Sequence, residues 1–147
     1  MVRTNAQGDL MWSRFYDHDA YPYNENLTDA PVVAQTADSN FVVGSRTELG
    51  VICLCKFDPE GNVIWTKKDN TTNGSFIETI RNSSDGNLFV LGGVVLGADQ
   101  KYLLIKMTED GDVIWSKTYG GSNDDWPYAG METSDGGFAM TGVTQRP

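Results

Sequence analysis

One octet, met three times, constrains this chain more than any other feature. Gln7-Gly8-Asp9-Leu10-Met11-Trp12-Ser13-Arg14 returns as Glu60-Gly61-Asn62-Val63-Ile64-Trp65-Thr66-Lys67. It returns again as Asp110-Gly111-Asp112-Val113-Ile114-Trp115-Ser116-Lys117. Each copy reads Gly, Asp or Asn, two apolar residues, Trp, a hydroxyl residue and a base. The tryptophans lie 53 and 50 residues apart. Self-similarity at such a period belongs to tandem supersecondary units that bury their apolar faces against one another.

A second block follows each tryptophan. It reads Thr36-Ala37-Asp38-Ser39-Asn40-Phe41, then Ser83-Ser84-Asp85-Gly86-Asn87-Leu88, then Thr133-Ser134-Asp135-Gly136-Gly137-Phe138. Asp-Gly pairs between β-rich runs are hairpin signals, because those residues accept positive φ. In the middle copy these signals predict strands over 76–83, 87–95, 101–107 and 112–119, with a turn at 109–111. No window carries sustained apolar spacing at helical period, so no helix is expected.

The third strand of each full unit is apolar on both of its alternating faces, as in Leu103-Leu104-Ile105 and Ile52-Cys53-Leu54-Cys55. A sheet with one wet face would alternate, so these strands must be covered on both sides. Stacking of small sheets face to face does this, and the blades of a propeller stack in that way. A β-sandwich covers its strands too but does not explain a repeat of about 50 residues built of whole four-stranded units. The expected fold is therefore all-β: tandem four-stranded antiparallel repeats of the β-propeller type, three blade equivalents in one repeat domain. The expected divisions are a half-blade at 1–19, blades at 30–68 and 76–119, and a half-blade at 127–147. Gly8, Gly61, Gly111, Trp12, Trp65 and Trp115 are expected to be structural markers of the repeat. The bases Arg14, Lys67 and Lys117 are expected on solvated strand edges.

The runs 111–125 and 132–138 resemble the propeller repeats of many secreted or surface proteins of bacteria and archaea. Those repeats are similar to the quinoprotein-like (PQQ-like) blade, with its turn followed by Gly, apolar residues and Trp. The middle repeat departs most, with Lys68-Asp69-Asn70-Thr71-Thr72 where the last has Thr118-Tyr119-Gly120-Gly121-Ser122. The resemblance implies an extracellular or surface protein with no quinone and no assigned activity.

Val2-Arg3-Thr4-Asn5 aligns with Cys55-Lys56-Phe57-Asp58 and Ile105-Lys106-Met107-Thr108. In strand terms the chain reads third-fourth, two full units, first-second. Two expectations follow. Either the half-units of separate copies pair into a ring or a filament, or the sequence is a piece of a longer propeller. Met1-Val2-Arg3-Thr4 leads into polar residues without the apolar stretch of a signal peptide, which reads as a mature or excised segment.

Charge narrows the partners. A net charge of −9 disfavours nucleic acid and anionic membrane surfaces, which select clustered Lys and Arg. No apolar run is long enough to insert in a bilayer. Four Asn-X-Ser/Thr sequons start at Asn26, Asn70, Asn73 and Asn82, where chance predicts between one and two, so glycosylation is expected on a secretory route. Asn- and Ser-rich loops also make sequons by accident.

An aromatic-Pro-Tyr element occurs twice, at Tyr21-Pro22-Tyr23 and Trp126-Pro127-Tyr128, preceded by acids that include Asp124 and Asp125. Rings beside carboxylates are how many proteins grip sugars, so Tyr21, Tyr23, Asp124, Asp125, Trp126 and Tyr128 are ligand-binding candidates. The competing expectation, that these aromatics cap the core, is favoured. No cofactor is expected; Asp124 and Asp125 with Asn123 could help hold Ca²⁺, although their spacing is not that of an EF-hand loop. Cys53 and Cys55 read as buried thiols, since a bridge between i and i+2 would be strained.

For catalysis the inventory is thin. The one histidine, His18, sits among Asp17, Asp19 and Tyr21, and no nucleotide or zinc motif is present. The expected function is non-enzymatic: a structural or adhesive protein that self-associates through its half-blades. A carbohydrate-binding module is the alternative, and a glycosidase or quinoprotein fragment a weaker third.

Overall fold

The computed structural model describes residues 1–16, 31–48, 50–68 and 74–145. The described residues contain no helix. Twelve strands form four antiparallel sheets. Strands β1 (Val2–Thr4) and β2 (Leu10–Ser13) make a two-stranded sheet. β3 (Val32–Gln35), β4 (Phe41–Arg46), β5 (Ile52–Phe57) and β6 (Val63–Lys68) make a four-stranded one, in chain order. β7 (Phe76–Asn82), β8 (Leu88–Leu96), β9 (Asp99–Met107) and β10 (Val113–Tyr119) repeat it. β11 (Asp125–Glu132) and β12 (Phe138–Thr144) form a last pair.

The turns follow from their sequences. Asp58 Oδ1 accepts hydrogen bonds from the backbone N–H of Glu60 (3.0 Å) and Asn62 (2.7 Å), and Asn5 Oδ1 does the same for Gln7 and Asp9. A short side chain thus closes each hairpin on its own backbone. In the other hairpin of the first and last units, Thr36 and Thr133 each donate their hydroxyl to an Asp two residues on, Asp38 and Asp135.

The expected strands of the middle unit lie within two residues of those observed. The last sheet begins at Asp125, two residues before 127, and the aromatic-Pro-Tyr element Trp126-Pro127-Tyr128 belongs to strand β11 rather than to a loop. Proline is tolerated there because the register shifts between Pro127 and Ala129, so the missing N–H falls at a bulge. The boundary at 19, with Asp17, His18, Asp19, Tyr21, Tyr23 and Asn26, lies outside the described residues, as do Asn70 and Asn73.

Two cores lie on opposite sides of the β7–β10 sheet. On one side Leu88, Val90, Val94, Leu103, Ile105 and Met107 pack with Val42 and Ile52 of the β3–β6 sheet. On the other, Phe89, Leu91 and Leu104 pack with Phe138 and Met140 of β12. Successive residues of β8 and of the Leu103–Ile105 stretch of β9 therefore enter different cores, which is why both alternating faces of those strands carry apolar side chains. Leu88, Leu91 and Val42 have no exposed surface at all. Cys53 and Cys55 are buried and not joined in a disulfide.

The repeated tryptophan and glycine meet between sheets. A Cβ on Gly111 would lie 2.9 Å from Trp65 Cη2 and 2.9 Å from Lys67 Cδ; one on Gly61 would lie 3.1 Å from Trp12 Cη2. Each indole thus covers the glycine turn of the following sheet. We expect Gly111→Ala to be more destabilising than Gly86→Ala, measured by chemical denaturation. Both glycines have left-handed backbone (φ 79° and 82°), but a Cβ at Gly86 meets nothing within 4 Å. The left-handed cost is about 1 kcal/mol in either variant, and overpacking against Trp65 should add roughly 1–2 kcal/mol to Gly111→Ala alone. Equal losses would show that the indole yields freely.

Candidate functional site

Two sets of polar contacts recur with the repeat. The first links neighbouring sheets. Lys67 Nζ lies 2.6 Å from Asp112 Oδ1, and Arg14 Nη1 donates to Asn62 Oδ1 at 2.8 Å. Both bases stand two residues after a tryptophan, and both acceptors directly follow a turn glycine. Such exposed contacts add little stability, but repeated at fixed positions they fix register between sheets. The bases expected on solvated edges therefore join one sheet to the next.

The second set was not expected from the sequence. Lys56 on β5 is buried, and its ammonium lies 2.8 Å from Asp38 in the turn between β3 and β4 of its own sheet. Lys106 on β9 repeats this at 2.6 Å from Asp85. Asp38 is pulled below the usual carboxylate range: burial opposes ionisation, but hydrogen bonds from Lys56, Thr36 and Asn40 outweigh it. The Lys106 hydrogen bond is the main cause that holds Asp85 down to about 2. The sequence signal is a base in every third strand and an Asp in every preceding turn; recognising the pair requires the strand register.

Arg3 is the third base of this series and Asp135 the third acid. Arg3 Nη1 donates to Pro59 O, and its guanidinium lies 5.7 Å from the centre of the Phe41 ring. Asp135 is exposed, and its carboxyl is held low by the Thr133 hydroxyl and the Gly137 N–H. Neither has an ion-pair partner among the described residues.

These two residues sit beside the open strand edges. In the four-stranded sheets the second strand pairs with the third, as β4 with β5 and β8 with β9. β12 and β1 occupy the second and third positions of their units, and among the described residues each has a strand on one side only. The faces next to these edges are apolar. Val2, Val33, Val43 and Phe57 help line a groove of about 480 Å³ between β1 and the β3–β6 sheet. Val33 is 58% exposed there. On β11 and β12, Phe138 and Met140 face inward; alternation turns Ala139 and Val143 outward, and Met131 is the cross-strand partner of Ala139. Met131 and Val143 are exposed.

The ligand-binding candidates separate. Trp126 is 41% exposed and stacks on Phe76 with centroids 5.7 Å apart. It lines a groove of about 440 Å³ with Pro31, Arg46 and Glu78. Tyr128 is exposed on the same strand. The acids turn elsewhere. Asp124 accepts the Gln100 N–H at 2.7 Å. Asp125 is buried; its carboxylate accepts the Thr144 hydroxyl and the Gly121 N–H and lies 3.9 Å from Lys101 Nζ. The Thr144 and Gly121 hydrogen bonds lower its carboxyl pKa, and Lys101 adds to the effect. Among the described residues no group of three or more His, Cys, Asp or Glu converges as a metal site would require. Asn82 ends β7 and donates its amide to Gln35 O at 2.7 Å, across to the neighbouring sheet.

No protein-family model matches the chain, and no curated protein matches its sequence.

Because the Asp85 carboxyl is depressed in the folded chain, its stabilising effect is complete above the unfolded value of about 3.9 and is lost as pH falls through about 2. Asp85→Asn should therefore be less stable than the parent near pH 7, with the gap closing between about pH 4 and pH 2. Denaturation midpoints at several pH values measure this; a gap independent of pH would remove the ion pair as its cause.

Proposed function

We propose that this chain is a β-propeller-type repeat protein of three blade equivalents, extracellular or surface-bound, that acts without catalysis in assembly or adhesion. It does so by self-association of its half-blades into a ring or filament. The observation that carries this is the pair of complementary openings: a sheet edge at β12 and another at β1, each beside an exposed apolar face. Open edges present unpaired N–H and C=O groups that template another strand. The likeness of residues 111–125 and 132–138 to quinoprotein-like surface repeats supports the propeller type and the location. On this reading β1–β2 and β11–β12 are half-blades, and joining one of each gives a unit of the same four-stranded kind as β3–β6.

Light scattering after size exclusion tests it. The expected particle is a discrete multiple of the 16.2 kDa chain mass, or a polymer. Val33→Asp, on an exposed groove residue, should shift the species toward monomer while leaving the far-ultraviolet circular dichroism unchanged. A parent chain that stays at 16.2 kDa at every concentration would overturn the proposal.

A second reading, carbohydrate binding, is favoured by the exposed Trp126 ring at the mouth of the groove with Arg46 and Glu78. An exposed indole beside charged hydrogen-bonding groups suits a sugar face. It predicts a glycan-array signal that Trp126→Ala abolishes; an array blank for the parent chain would dismiss it.

A further inference from the structure

We infer that the partner of the open β1 edge is a second copy of this chain, recognised by an ion pair between its Asp135 and Arg3. This rests on the self-association reading and adds to it which residues select the partner and in what register. The chain holds two finished examples of the unit that the edges would complete. In both, a base on the third strand reaches the acid in the turn before the second strand: Lys56 to Asp38, and Lys106 to Asp85. In both, the base is paired across the ladder with the residue four positions after that acid, Val42↔Lys56 and Phe89↔Lys106. The same spacing from Asp135 falls on Ala139, and Arg3 stands where Lys56 and Lys106 stand. The two ladders thus dictate one register between copies, Ala139 opposite Arg3 and Phe138 opposite Thr4. A slip of one residue would turn Met131, Ala139 and Val143 away from the groove at Val33, Val43 and Phe57.

Three further observations agree. Asp135 is already oriented by Thr133, as Asp38 is by Thr36. Gly61 and Gly111 each carry an indole from the preceding sheet, whereas a Cβ on Gly8 would meet nothing within 4 Å, so the Gly8 turn is bare. The series Trp12 on Gly61 and Trp65 on Gly111 leaves Trp115, among the described residues, as the indole without a glycine turn, and Lys117 as the base without an acceptor after such a turn. In the completed unit Trp115 and Lys117 of one copy face Gly8 and Asp9 of the other. A generic edge strand would satisfy the backbone but neither the Arg3 nor the Gly8 contact.

Charge reversal tests the inference. Arg3→Asp or Asp135→Arg alone places like charges at both junctions of a two-copy particle. Each should weaken association about tenfold per junction, roughly a hundredfold in the dissociation constant. Mixing the two single variants should restore it, because one junction then regains Arg3 with Asp135 and the other carries the reversed pair. The double variant R3D/D135R should associate like the parent. Asp135 lies on an exposed turn, so D135R reads the contact by itself if R3D does not fold. If the parent associates but the single variants match it, or mixing rescues nothing, this inference falls while self-association stands. A parent chain that is monomeric at every concentration removes both. Rescue by the double variant without rescue on mixing would locate the pair within one chain and overturn the second copy as partner.

Discussion

Everything in this fold depends on the covering of both faces of the β7–β10 sheet. Alternation along a strand sends Leu103 and Ile105 one way and Leu104 the other, and each direction ends in a different core. A four-stranded sheet that is apolar on both faces has no stable existence alone in water. It needs a sheet in front and a sheet behind, and the neighbours that satisfy it expose apolar faces of their own. The outward side of β11–β12 and the groove beside Val33 are the two places where that propagation stops among the described residues.

Polar contacts then decide how the sheets sit on one another. Burying apolar area tolerates sliding; an indole over a glycine turn, with a base two residues later reaching the next side chain, does not. The buried Lys56 adds the complementary constraint within a sheet, tying the third strand to the first turn. Breaking that pair would leave a buried ammonium with only the more distant carboxylate of Asp110, 3.7 Å away, and a buried cation that loses its close partner costs more than an exposed pair contributes.

Much of this was legible in the residues. The octet around Trp12, Trp65 and Trp115 gave the period, the Asp-Gly turns gave the hairpins, and Leu103-Leu104-Ile105 announced strands covered on both faces. The element Trp126-Pro127-Tyr128 was harder, because proline and clustered acids imitate a loop. A bulge lets the strand keep Pro127 buried while Trp126 stays half in solvent. Asp125 read as a ligand-binding candidate, yet at the first residue of β11 it turns inward to Thr144 and Gly121. The Lys56–Asp38 pair escaped for a different reason. Its two members are conspicuous only when all copies are superimposed, and their contact depends on a ladder register that composition does not carry.

The sheets touch chiefly their neighbours in sequence, and this gives the molecule a nearly one-dimensional energetics. Its stability is then close to a sum of sheet terms and interface terms. Among the described residues the β7–β10 sheet has an interface on each side, whereas β11–β12 has one and only two strands. Opening should therefore begin at the ends and travel inward, with amides of β8 and β9 the last to exchange with solvent. Any partner that covers an end sheet would slow exchange there first, and would lend the whole chain the cooperativity that two strands by themselves do not provide.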